Sequence, residues 1–167
     1  MRTSLAVTIV WMGSACAPIP QPPTAPVRIV SVGSSFGECV GPCQQTLLFD
    51  TDVTLIIEDW TSQDPPTEQP GALTRAGRDE LSRIEGTLDP GALDETYGCP
   101  DCADGGAMHL VLDQLGDLTE HHWEYSAPPA DLADVDALFH DLRGALIDCV
   151  SSTWIDPDPA CVAFVWP

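Results

Sequence analysis

The sequence predicts an α+β domain: a small antiparallel sheet of about five strands, two main helices packed on one face, and disulfide staples. Three observations predict it. Short β-branched runs come in pairs around turn residues, as antiparallel hairpins do. An amphipathic stretch from Asp131 to Cys149 has helical spacing. Six cysteines remain once Cys16 is set aside, an even number in a chain of 167 residues.

Taken in order, Val27 to Val32 (VRIVSV) alternates and reads as a strand, followed by a Gly/Ser/Cys/Pro loop from Gly33 to Pro42. Gln44 to Phe49 and Val53 to Trp60 flank Asp50-Thr51-Asp52 as a hairpin. Thr61 to Pro70 reads as a polar, proline-rich loop. Thr74 caps a helix reaching about Glu85, with Leu73, Leu81, Ile84 and Leu88 near one face and Gly86 ending it. A short helical turn is expected over Pro90 to Glu95. Ala107 to Asp113 and Leu118 to Tyr125 form a second hairpin around Gln114-Leu115-Gly116-Asp117. In the last helix, Leu132, Val135, Leu138, Phe139, Leu142, Leu146 and Cys149 share a face. Asp131, Asp134 and Asp136 in its first turns complement the helix dipole. The resulting order is β-β-β-α-β-β-α.

The first fifteen residues read as an export signal. Arg2 supplies the positive end, and Leu5 to Met12 is an apolar stretch far shorter than the roughly 20 residues that span a bilayer. Ser14-Ala15-Cys16 resembles a bacterial lipobox, in which the cysteine is diacylated and becomes the new N-terminus; Gly13 stands where a bulky aliphatic residue is usual. Two or three acyl chains anchor durably where one does not. Ala17 after the cysteine resembles the outer-membrane sorting pattern. The alternative is a soluble secreted or periplasmic chain, but a cut after Ala17 would leave Pro18 behind it. Ala17 to Pro26 contains five prolines, and at about 3.1 Å per residue forms an extended tether of roughly 30 Å. The expected organisation is a signal at 1–15, an acylated cysteine with its tether at 16–26, and one acidic domain at 27–167.

In the oxidising compartment implied by export, Cys39, Cys43, Cys99, Cys102, Cys149 and Cys161 are expected to form three disulfides. Proximity suggests Cys39–Cys43, Cys99–Cys102 and Cys149–Cys161, among the 15 connectivities that six cysteines allow. The competing account is a four-cysteine zinc site from Cys39, Cys43, Cys99 and Cys102, whose CxxxC and CxxC spacings suit that metal. A redox role for Cys99-Pro100-Asp101-Cys102 is disfavoured, because no strand leads into the motif, no helix leaves it, and Asp101 and Asp104 would raise the thiol pKa.

The segments Ser35 to Cys43 (SFGECVGPC) and Gly98 to Gly106 (GCPDCADGG) resemble a pattern found in small uncharacterised bacterial lipoproteins: a strand, SFGxCxGxC, a hairpin, a helix, then GCPDCADGG before another hairpin and a helix. The resemblance covers roughly residues 28 to 146. Pro42 departs from it, standing where a large or aromatic residue is expected, and the extension carrying Cys149 and Cys161 is additional. It implies the fold and the compartment, and brings no activity and no catalytic residue.

Charge narrows the function classes. With 26 acidic side chains against 6 basic ones, all arginine, the formal charge is −20, which argues against nucleic-acid binding and electrostatic membrane docking. Gly33-Ser34-Ser35-Phe36-Gly37 matches the G-x-S-x-G nucleophile elbow formally, with Ser35 as nucleophile, but feeds a proline and cysteines rather than a helix. On the last hairpin, Thr119, His121, Trp123 and Tyr125 share one face, and Glu120, His122 and Glu124 the other. His140 pairs with Asp136 one helical turn earlier. Asp50-Thr51-Asp52 and Asp101 to Asp104 could ligate calcium, but lack the ligand spacing of a known loop and read better as turns. Trp60, Trp123 and Trp154 are expected to pack the core or offer a recognition surface. The expectation is a non-enzymatic binding or structural module in the bacterial envelope, held to the membrane through Cys16. No cofactor is expected, and the partner is a protein or a cation. Zinc binding is the alternative, and a serine hydrolase using Ser35 the second.

Overall fold

The computed structural model describes residues 25–61 and 64–164; Cys16, the signal and the tether up to residue 24 lie outside them. Among the described residues the fold is α+β with two helices and three disulfides, but the single sheet has eight strands where about five were expected. The strands are β1 (Val27–Ser35), β2 (Pro42–Phe49), β3 (Val53–Asp59), β4 (Thr67–Leu73), β5 (Thr96–Tyr97), β6 (Ala107–Gln114), β7 (Asp117–Glu124) and β8 (Ile155–Pro157). Their order is β5-β7-β6-β1-β2-β3-β4-β8. Every pairing is antiparallel except β5 with β7. The helices are α1 (Arg75–Glu85) and α2 (Ala133–Asp148), the latter preceded by a 3₁₀ turn at Ala130–Leu132.

The three unforeseen strands have two causes. β4 falls where a proline-rich loop was expected, because Pro70 is tolerated there: β8 pairs only with Gly71 to Leu73, so the missing N–H breaks no rung of that ladder. The Pro70 carbonyl still accepts from Asp158 N–H at 2.9 Å. β5 and β8 have two and three residues, too short to show a period. The expected helical turn at Pro90 to Glu95 is instead a turn closed by Ala92 N–H to the Asp89 carbonyl.

Alternation decides what is buried. Leu47, Phe49, Val53, Leu55, Ile57, Met108, Leu110, Leu112 and Trp123 project to one face, where Ile84 of α1 and Val135, Leu138, Phe139, Leu142 and Leu146 of α2 complete the core. Three polar contacts fasten the helices to it. Trp123 Nε1–H donates to Asp136 Oδ1 at 3.1 Å in the interior. Arg143 Nε–H donates to the buried Gln45 amide oxygen. Ile29 N–H, beside the bulge in β1, donates to Glu85 Oε1 at 2.9 Å; burial pushes the Glu85 carboxyl up, and that hydrogen bond pulls it part of the way back.

The three disulfides join Cys39–Cys43, Cys99–Cys102 and Cys149–Cys161. The last ties the end of α2 to the segment after β8. In the chain-entropy account such a short loop contributes roughly 3 kcal/mol. Among the described residues no helix is long and apolar enough to cross a membrane.

Thr74 caps α1, accepting from Gly77 N–H at 3.0 Å while its own hydroxyl donates to the Thr153 carbonyl at 2.7 Å. The strap at 152–155 therefore lies directly on the first turn of α1, and a Cβ at Gly77 would sit 2.0 Å from the Trp154 carbonyl oxygen. Gly77→Ala is expected to destabilise by about 1–3 kcal/mol, against its gain in helix propensity. Gly144→Ala in α2, where a Cβ meets nothing within 4 Å, is expected to stabilise by up to about 1 kcal/mol. Urea unfolding of the two variants checks both signs.

Candidate functional site on the open sheet face

With both helices on one face, the alternate residues of the central strands line the other. Strand register orders them into rows. The central row runs His122, His109, Gly33, Thr46, Ile56 from β7 to β3. The neighbouring rows place Glu120, Val111, Ser31, Leu48 and Thr54 on one side, and Glu124, Ala107, Ser35, Gln44 and Glu58 on the other. A shallow depression of about 400 Å³ is lined by Ser35, Gln44, Thr46, Trp60, Ala107, His109, Glu120 and His122.

Its floor is made by a missing side chain. Gly33 lies in the central strand, and a Cβ there would come within 2.4 Å of His109 Nε2 and 2.7 Å of the Gln45 carbonyl oxygen. The imidazole of His109 is thereby laid across β1, bringing Nε2 to 3.4 Å from Thr46 Oγ1 on β2. Burial holds His109 below its ordinary pKa; His122 opposite adds to this and Glu120 opposes it. Neutral imidazole is thus the form at neutral pH. His122 Nε2 lies 3.6 Å from Glu120 Oε1. Trp60, just past β3, is 51% exposed at the rim.

The two cysteine loops meet at one end of this sheet, where β1 ends and β6 begins. Gly37 N–H donates to Asp101 Oδ1 at 3.2 Å, and the Phe36 ring fills the space a Cβ at Gly106 would take. Phe36 also meets Tyr125 edge-on at 4.8 Å. The sulfurs of Cys39, Cys43, Cys99 and Cys102 are engaged in disulfides, a state with no thiolate for a metal. The surroundings of Cys99–Cys102 differ from the sequence expectation: β5 ends two residues before Cys99, and a 3₁₀ turn begins at Cys102.

The other expected residues separate. Ser35 is the last residue of β1; no helix follows it and it makes no hydrogen bond to either histidine, so the elbow geometry is missing. His121 and Trp123 are buried on the core side, with His121 Nδ1 2.9 Å from the Asp94 carbonyl oxygen and Nε2 3.2 Å from Thr119 Oγ1. His140 Nε2 stands 3.6 Å from Asp136 Oδ2. Among the described residues, no three His, Cys, Asp or Glu side chains converge as they stand on a common metal position, the Asp50 and Asp101 turns included. His109 escaped notice because it follows the same alternation as its strand; only register across β1 and β7 reveals its neighbours.

Since His109 is held below the roughly 6.5 of a free imidazole, it contributes stability that is present above that pH and lost as pH falls through its folded value. His109→Gln is expected to flatten the fall in unfolding free energy between about pH 7.5 and 5; an unchanged slope would contradict the burial assigned to this ring. No protein-family profile matches the chain, and neither a curated protein nor a solved structure is significantly similar to it, so its function is read from this site.

Proposed function

We propose that the chain is a lipoprotein of the bacterial cell envelope, held by an acylated Cys16 and the tether at 16–26, and that the open sheet face is a non-enzymatic binding surface. The observation that carries the binding reading is the depression around Gly33, where polar side chains and the half-exposed Trp60 gather on a face no helix covers among the described residues. Half-buried polar groups around one exposed aromatic suit recognition. The charge of −20 favours a basic protein patch or a cation as partner. The lipidation pattern after the signal, with Ala17 in the sorting position, supports an outer-membrane location, and the disulfides agree with an oxidising compartment.

Zinc binding through Cys39, Cys43, Cys99 and Cys102 is favoured by one observation: the fold brings their two loops together through Gly37 and Asp101. It requires both disulfides to be reduced. Native mass spectrometry of reduced protein with zinc distinguishes it, since the reading demands one bound zinc that reoxidation releases.

Cys16→Ser is expected to move the protein from the membrane pellet to the soluble fraction and to abolish its acyl mass; a variant that stayed acylated and pelleted would refute the anchor. A photo-crosslinking residue at Thr54, on the open face, is expected to capture envelope protein or to be protected by added divalent cation, whereas one at Ser82 on exposed α1 is not. Equal behaviour at both positions would refute the open-face reading.

A further inference from the structure

The open face carries a pair of imidazoles whose placement is set by the backbone. His109 and His122 are directly opposite in the β6–β7 ladder, and opposite residues of an antiparallel pair have Cβ atoms about 4.5–5.5 Å apart. That separation lets two imidazole nitrogens reach one ion at the roughly 2.0–2.1 Å of a metal–nitrogen bond. Glu120 lies two residues before His122 on the same face, its carboxylate already 3.6 Å from His122 Nε2. Resting on the reading of this face as the binding surface, we propose that His109 and His122, with Glu120 as third ligand, bind a divalent transition-metal ion: copper, nickel or zinc.

Ligand chemistry selects that class. Two imidazoles and one carboxylate suit Zn²⁺, Cu²⁺ and Ni²⁺, whereas Ca²⁺ and Mg²⁺ call for an all-oxygen cage. Both rings coordinate in their neutral form. The side chains do not converge as they stand, so binding requires His109 to swing off Gly33 toward β7. The one hydrogen bond given up is the 3.4 Å contact with Thr46 Oγ1, long for its kind. Thr46 is thus the side chain the ring must leave, and the open depression above gives it room to turn. The strong negative charge of the chain raises the local concentration of divalent cations.

The test titrates NiCl₂, CuCl₂ and ZnCl₂ into the disulfide-bonded protein by calorimetry, with ¹⁵N-labelled histidine spectra recorded in parallel using ZnCl₂. One ion per chain is expected, with the His109 and His122 ring signals shifting and those of His121 and His140 staying in place. His122→Ala and His109→Gln are each expected to weaken binding by at least the roughly tenfold that loss of even a supporting group costs. His140→Ala is expected to leave it unchanged, and circular dichroism verifies that each variant is folded. Binding that survives both His109→Gln and His122→Ala, or no binding below millimolar concentration, overturns the metal site. Crosslinking from Thr54 to an envelope protein in the same preparation would show that the open face still binds; loss of metal and crosslink together would overturn both readings.

Discussion

The hydrogen bond from the Trp123 indole to Asp136 fixes which way the sheet faces. A buried indole N–H needs an acceptor, and this one is supplied from α2, so the largest side chain of the sheet has to point at that helix. Because side chains alternate along a strand, placing Trp123 and His121 inside places His122 and Glu120 outside. The ladder carries the same parity to β6, where Met108 and Leu110 turn inward and His109 outward. Parity continues through β1 to β2, where Gln45 turns in to meet Arg143 and Thr46 turns out to meet His109. The polar contact in the core, the apolar residues beside it and the composition of the opposite surface thus follow one parity.

Charge is distributed to match this asymmetry. Arg75, Arg78 and Arg83 lie on α1 and Arg143 on α2, and all four have partners: Arg75 stands 3.9 Å from Asp79, and Arg78 donates to the Leu73 carbonyl. Arg83 bridges Glu80 and Asp134, joining the two helices at the surface, and is raised by those carboxylates. Arg143 is half-buried against Gln45, and loss of water disfavours its charge. The helix arginines are thus engaged around the helices and Arg28 stands exposed on β1, while the depression is lined by neutral side chains, two imidazoles and a carboxylate. An anion approaching that depression finds no arginine in its lining.

Much of the scaffold was legible in the sequence. The β2–β3 and β6–β7 hairpins, the Thr74 cap, Gly86 at the end of α1, the apolar face of α2 and the three cysteine pairs follow from period, turn chemistry and spacing. The opposite faces of His121 and His122 follow from alternation alone. The strands that were missed are those whose formation depends on a neighbour: β4 contains Pro70 and needs β3 beside it, while β5 and β8 are too short to carry a pattern. The same reason hid the site. His109 and Thr46 are separated by 63 residues, and nothing local to either shows that Gly33 will lie between them. Glycine at position 33 read as loop chemistry; in the structure it is an interior strand residue whose absent Cβ makes room for an imidazole.

The short outer strands bear on how the chain avoids sticking to itself. β8 covers only the far end of β4, and the segment beyond it is held by Cys149–Cys161, with the Gln69 amide donating to the Val162 carbonyl at 2.7 Å. This last disulfide thus acts as a latch on a sheet margin rather than as a brace for the core. Closing that pair keeps one margin of the sheet occupied by the chain's own segment, where an open edge would invite a strand from elsewhere.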